Sequence, residues 1–232
     1  MPEIRSSDTR LRILDTAEGL FMAQGYEGTS MRQITAGAGV NLAAVNYHFG
    51  SKEGLLREVF RRRLDWLNDE RLRVLDAMEA AAGAAPLKPS QIVDAFFGTL
   101  LRMADDEAHG GRVFLCLLGR TLTEPSEFIR AFLANEYSVV MGRFTTALFR
   151  ALPDVPRAEI VWRFHFMLGA TSYAIAGTDT LRLVTDWHLD THAEEGATRL
   201  LPRLMSFLLV GLRAPLPGGD DPALPHPTGG SS

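Results

Sequence analysis

Between Gly25 and Lys52 the chain sets polar side chains at spacings suited to contact with a nucleic-acid duplex. Two short helical stretches are separated by Ala38-Gly39-Val40-Asn41; one carries Met31, Ile34 and Thr35, the other runs from just after Asn41 to about Phe49-Gly50. That is the helix-turn-helix plan, and Gly39 lets the backbone reverse at little steric cost. On the second stretch Val45 and Phe49 lie four apart and should point with Ile34 and Val40 into a core, turning Ala43, Ala44, Asn46 and Tyr47 outward. Small side chains at 43 and 44 let a helix sit deep in a major groove, the Asn46 amide matches an adenine edge, and the Arg32 guanidinium matches a guanine edge. Tyr47, His48 and Lys52 suit phosphates, Lys52 from the amino end of a helix whose free amides and dipole also favour anions. Leu42 lies three and seven residues from Val45 and Phe49, so its spacing fits the core as well as the outward face.

The elements that must position these residues are helical almost throughout. Ile13, Leu14, Ala17, Leu20, Phe21 and Gln24 recur at three-and-four spacing on a first helix that Gly25 should stop. Thr29 or Ser30 can cap the second, and Ser51 a long fourth through Leu55, Leu56, Val59, Phe60, Leu64 and Leu67 to the alanines near 80. Gly83-Ala84-Ala85-Pro86-Leu87-Lys88-Pro89 breaks the pattern, with Ser90 as the next cap. Further helices are expected at about 91–105, 112–123, 126–152, 157–177 and 192–213, with Pro202 kinking or dividing the last. The Pro/Gly/Ser-rich stretch 214–232 reads as a disordered tail. No strand-period segment or internal repeat stands out, so the expected fold class is all-α.

Composition narrows the function classes. The 232 residues carry a net charge of −4, unevenly divided. Residues 1–63 hold nine Lys/Arg against seven Asp/Glu, a balance of +2; the rest holds 15 against 21, a balance of −6. A slightly basic head on an acidic body is compatible with a small DNA-facing surface. A lone cysteine, Cys116, excludes an internal disulfide framework. The start shows no secretory signal, and the longest apolar run, Val113 to Leu118, is far below the roughly 20 residues of a membrane span. A cytoplasmic location is the expectation. No phosphate-cradling glycine loop, nucleophile elbow or paired-cysteine zinc pattern is present, so neither enzymatic activity nor a metal or cofactor is expected.

The stretches Gly25-Tyr26-Glu27-Gly28-Thr29-Ser30-Met31-Arg32-Gln33-Ile34, Ala38-Gly39-Val40 and Tyr47-His48-Phe49-Gly50-Ser51-Lys52-Glu53-Gly54-Leu55 together resemble the TetR family of transcriptional regulators. The resemblance implies a three-helix DNA-binding head at 1–50, a helical effector-binding and dimerisation body at 51–213, and a homodimer on a near-palindromic operator. Arg32, Leu42, Ala43, Ala44 and Asn46 match positions that face bases in that family. Ser30, Tyr47, His48 and Lys52 match or adjoin positions that meet the backbone, and Thr29 and Asn41 complete the expected DNA-binding set. The family usually has a tyrosine where this chain has Asn46, which leaves the aromatic role to Tyr47. The segments Asn41–Lys52 and Trp162–Ala170 are similar to the branch responding to long-chain fatty acids, which implies a fatty acid or acyl thioester as effector.

Ten of the 13 phenylalanines follow residue 63, with Met103, Met141 and Met167 among them, and this suits an apolar pocket. Such a pocket needs a polar anchor. Arg102, Arg120 and Arg163 each fall in an apolar neighbourhood; Arg120 is preferred because Phe114, Leu117 and Leu118 surround it in sequence, and Phe97, Leu101, Cys116, Phe144, Phe164, Met167 and Leu168 complete the expected pocket. Each arginine also has the plainer reading of a surface or locally paired group. Ala170, Ala174 and Gly177 form a smooth stripe for a subunit interface or for packing within one subunit. His188 and His192 have a metal-compatible spacing without further ligands, and Asp186 and Asp190 read as a polar loop and cap. His165 is expected in the core, Cys116 as an inert apolar filler, and Arg61-Arg62-Arg63 as a solvated face. The expected function is a ligand-responsive repressor. A DNA-binding regulator whose body takes a protein partner, an activator, and an all-α enzyme are the alternatives.

Overall fold

The computed structural model of the chain describes residues 2–123, 127–176 and 196–216, and every regular element among them is helical. Helix α1 (Pro2–Gly28) begins well before the apolar stripe that announces it, and buries Ile13, Leu14, Ala17 and Phe21. Gly25 leaves the helical conformation at φ 73°, a value that favours glycine, so the α1 axis breaks at the expected stop.

Local capping chemistry sets the next three helices. Ser30 caps α2 (Met31–Ala38) in a reciprocal capping box with Gln33, and Asn41 caps α3 (Leu42–Phe49) by accepting from the Ala44 amide at 2.8 Å. Ser51 caps α4 (Lys52–Ala82) by accepting from the Gly54 amide at 3.0 Å. The α3–α4 corner is tight: a Cβ on Gly54 would lie 2.1 Å from the Phe49 carbonyl oxygen. Ile34, Val45 and Phe49 are buried against α1, while Val40 is only half-buried.

The long α4 serves both ends of the molecule. Its stripe of Leu55, Leu56, Val59, Phe60, Leu64, Leu67 and Leu75 is buried, and Arg71 lies in the same stripe. The helix expected at 91–105 is a composite. Helix α5 (Pro89–Val93) passes through a π-helical turn (Asp94–Gly98) into α6 (Thr99–Arg102), then two 3₁₀ turns at Met103–Asp105 and Glu107–His109. Lys88, not Ser90, occupies the cap position, because helical geometry already begins at Pro89, where a missing amide donor costs nothing.

Helices α7 (Gly111–Thr123), α8 (Glu127–Ala151), α9 (Arg157–Ile175) and α10 (Gly196–Leu212) complete the body. Pro202 lies inside α10 without dividing it. Leu204, Leu208 and Leu212 are buried on the inner face of α10, so packing outweighs the hydrogen bond the proline forfeits.

Arginines tie the amino-terminal helix to the body. Arg62 pairs with Asp15 at 2.7 Å and with buried Glu18, and Arg63 donates to Glu18 at 3.1 Å and to the Ala108 carbonyl at 3.1 Å. The solvated face expected for Arg61-Arg62-Arg63 therefore holds only at Arg61, because Glu18 sits on the α1 stripe that α4 covers. His188, His192, Asp186, Asp190 and Gly177 lie outside the described residues, as does most of the expected tail.

Candidate functional site

The outward face of α3 begins with the register of Val45 and Phe49. Because those two are buried, Leu42, Ala43, Asn46 and Tyr47 are exposed together, Tyr47 to 82%. Leu42 is exposed as well, which resolves its ambiguous spacing in favour of the surface. Arg32 and Ser30 are exposed on α2 and its cap, and Asn41 at the head of α3; Ala44 and His48 are half-buried at the edge of this face. Lys52 lies with its Nζ 4.2 Å from the centroid of the Tyr26 ring, held at the amino end of α4.

Thr29 departs from the expected set. It is 1% exposed, and its hydroxyl donates to the carbonyls of Gly25 at 2.8 Å and Leu20 at 3.1 Å. Both carbonyls belong to the end of α1 around the Gly25 break, so Thr29 ties that helix end together and its side chain has no outward contact to offer.

Within the body, α4, the π turn, α6, α7, α8 and α9 enclose a cavity of about 190 Å³. Its wall includes Phe97, Leu100, Leu118, Leu133, Met141 and Ile175, with Leu168, Thr171 and Ser172 from α9. The two hydroxyls donate to their own helix, Thr171 to the Met167 carbonyl and Ser172 to the Leu168 carbonyl. Among the described residues Arg71 is the one charged residue of the wall, at 1% exposure. Its Nε donates to the Phe96 carbonyl at 2.9 Å and its Nη1 to Asn68 Oδ1 at 3.2 Å, while its guanidinium lies 3.8 Å from the Phe96 ring centroid. Burial lowers the Arg71 pKa and raises that of Tyr137, whose hydroxyl bonds the same guanidinium.

Of the pocket residues expected from sequence, Phe97 and Leu168 line this cavity. Phe144 and Phe164 form the layer behind, their ring centroids each 5.0 Å from that of Phe96. Leu101 and Met167 are buried and Cys116 half-buried, all away from the wall, because helical rotation turns them to neighbouring faces.

Arg120 does not line this cavity. It donates to the Met22 carbonyl and, at 3.4 Å, to that of Ala23, so it binds α7 to the end of α1. Arg102 pairs with Asp94 at 3.0 Å across Gly98, and Arg163 donates to the Leu212 carbonyl at 2.7 Å, closing the end of α10. The charged residue on the cavity wall among the described residues is Arg71, which is not in the set expected from sequence. The signal was there: Phe60, Leu64, Leu67, Arg71 and Leu75 form one unbroken α4 stripe, and a charged residue on such a stripe is buried.

A second surface stands out on α9 and α10. Val161, Trp162, Phe166 (65%) and Tyr173 are exposed on α9, and Phe207 (67%) and Val210 on α10. His165 belongs to this exposed face and not to the core, because the buried stripe of α9 is set by Ile160, Phe164 and Met167. Ala170 and Ala174 are half-buried at its margin.

A family model described as bacterial regulatory proteins of the tetR family matches residues 13–59, and one described as a tetracyclin repressor-like C-terminal domain matches residues 94–211. The chain is 38% identical over 58 residues to the HTH-type transcriptional repressor KstR2 of Mycobacterium tuberculosis, 25% of this chain and 29% of that protein. It is 37% identical over 79 residues to the HTH-type transcriptional regulator LmrA of Bacillus subtilis, 34% of this chain and 40% of that one. The matches thus span well under half the length of these relatives.

Among solved structures, the fatty acid degradation regulator FadR of Bacillus halodurans superposes with a TM-score of 0.55 at 14% identity, over 88% of this chain and 96% of that one. A TetR-family regulator from Syntrophomonas wolfei gives 0.55 at 16%, over 92% and 99%. At such identities the likeness is one of fold. The two family models span the helix-turn-helix and most of the helical body, and the chain belongs to the TetR family of bacterial regulatory proteins.

Proposed function

We propose that the protein is a DNA-binding transcriptional repressor that acts in the cytoplasm as a homodimer and is released from its operator by a hydrophobic effector. The observation that carries this reading is the exposed α3 face, where Leu42, Ala43, Asn46 and Tyr47 stand out above a buried Val45 and Phe49. Residues 1–50 are the head and residues from 51 to about 213 the body. Asn46 and Arg32 read base edges, with Leu42, Ala43 and Ala44 allowing close approach. Ser30, Asn41, Tyr47, His48 and Lys52 meet the backbone, which gives affinity without sequence preference.

Dimerisation is supported by the apolar faces of α9 and α10, which water would otherwise cover at a cost. Two copies of α3 then enter successive major grooves roughly 34–36 Å apart, which calls for a near-palindromic operator. The cavity is the effector site. For release, the effector must bind more tightly to the form whose heads no longer match the groove spacing, since equal affinity for both forms shifts nothing.

A fatty acid or acyl thioester remains the effector favoured by sequence, and the FadR structure from Bacillus halodurans belongs to a protein named for fatty acid degradation. The cavity of about 190 Å³ is smaller than the roughly 300–1,000 Å³ of pockets for drug-sized ligands, so a long chain requires it to widen. Selection of bound fragments from a genomic DNA library, with and without fatty acids and their thioesters, tests the whole reading. One palindromic motif, depleted by effector, is expected. Monomeric protein with no preference among duplexes overturns it.

A further inference from the structure

We propose that the Arg71 guanidinium is the receptor for a free carboxylate, so that the effector is an organic acid with an apolar body and not a thioester or other neutral derivative. The proposal rests on the reading of the cavity as an effector site and specifies its ligand chemistry.

Among the described residues Arg71 is the only charged group in an otherwise apolar wall whose Thr171 and Ser172 hydroxyls are bonded within their own helix. It is 1% exposed, yet among the described residues no carboxylate forms an ion pair with it. Its partners among the described residues are neutral: the Phe96 carbonyl, the Asn68 amide oxygen, the Tyr137 hydroxyl and the Phe96 ring. The contrast with the other buried arginine of the body is informative. Arg163 is also buried, but it pairs with Glu159 at 2.8 Å and a helix end neutralises the rest of its charge.

An arginine keeps its proton even when burial lowers its pKa, so Arg71 is a desolvated cation that neutral dipoles compensate only in part. A carboxylate supplies the missing charge with fork geometry that a guanidinium matches and that an ester or thioester carbonyl cannot reproduce. The acceptor that orients Arg71, the Phe96 carbonyl, belongs to the π-helical turn, where the hydrogen-bond ladder is offset and a carbonyl is available to a side chain. Asn68 and Tyr137 hold the fork from α4 and α8. Arg71 is thereby held in the wall of an otherwise apolar cavity, where the apolar body of an acid would find the remaining lining.

The test uses the full-length protein with octanoate, decanoate and their methyl esters, titrated calorimetrically. Each acid is expected to bind about ten- to a hundredfold more tightly than its ester. In Arg71→Met the preference should vanish while ester affinity is kept, and the melting temperature should not fall, because an uncompensated charge has been replaced by an apolar group of similar length. Arg71→Lys serves if the Met variant does not fold: its acid-to-ester ratio should drop, since a point charge replaces the fork.

Equal affinity for acid and ester in the wild type, an unchanged ratio in either variant, or no binding of either acid overturns the proposal. The same preparations are tested for duplex selection. Intact selection with no acid preference rejects the carboxylate receptor and leaves the regulator reading standing, and acid binding without duplex selection does the reverse.

Discussion

The outward face of α3 draws on one contiguous stretch, residues 30 to 52, while the cavity wall draws on α4, the π turn, α6, α7, α8 and α9 between Arg71 and Ile175. In the first region each side chain's direction follows from its place in a short capped helix. In the second no two neighbours in sequence fix what the wall will be, because the wall is what six packed elements leave uncovered. The head is a locally encoded surface with a fixed shape, and the cavity is a by-product of packing with Arg71 in its wall. A surface of the first kind tolerates little backbone displacement, whereas one of the second kind can widen or close as its helices shift.

Substitutions can break or sharpen this contrast. The largest effect is expected from Gly54→Ala, whose Cβ would lie 2.1 Å from the Phe49 carbonyl oxygen. Relief requires α3 to move against α4, at about 1–3 kcal/mol or more. Urea unfolding should show that loss and duplex affinity should fall with it; unchanged affinity would mean the head is less rigidly seated than the corner implies. Asn46→Ala should cost about 1–3 kcal/mol at one base pair per half-site. It should leave the body untouched, so a base-by-base binding scan should change while acid binding does not.

Arg120→Ala removes a guanidinium that joins α7 to the last carbonyls of α1 before the Gly25 break. It should cost about 1 kcal/mol of stability and should uncouple effector from duplex, leaving acid affinity near wild type in a titration with and without operator. Loss of acid binding itself would return Arg120 to the pocket. Lys52→Ala should weaken every duplex alike and lower the salt slope by about 0.9 per site, as read by fluorescence anisotropy across ionic strengths.

The smallest effect concerns Asp106, whose carboxyl the hydrogen bond from His109 holds below the usual range. A carboxylate with a lowered folded pKa contributes stability above its unfolded pKa and loses it as pH falls through the folded value. Asp106→Asn should therefore lower the melting temperature slightly at neutral pH and converge on wild type as pH falls through the carboxylate range, flattening the acid side of the profile.

Much of the head was legible because its determinants are local. Gly25, Ser30, Gly39, Asn41 and Ser51 each act within a turn of their own position, and their backbone roles follow from side-chain size and hydrogen-bonding capacity. Thr29 was the exception there, since its fate depended on which α1 carbonyls its hydroxyl would reach. In the body, helices were legible and sites were not. Arg120 has the same apolar neighbours in sequence that a pocket arginine would have, yet its partner carbonyls lie 97 and 98 residues away. Pro202 marks a break by local rules, and the buried leucines of α10 override it.

The sequence alone determined the helical period, the caps and turns, the outward set on α3 and the membership of α4's buried stripe, since each follows from contacts a few residues long. Only the tertiary structure decided that Arg71 would be a buried cation in the wall of an apolar cavity and that Phe97 and Leu168 would share that wall while Arg120 turned to α1. A cavity and an unpaired charge are properties of how helices far apart in the chain come together, and no local rule carries that information.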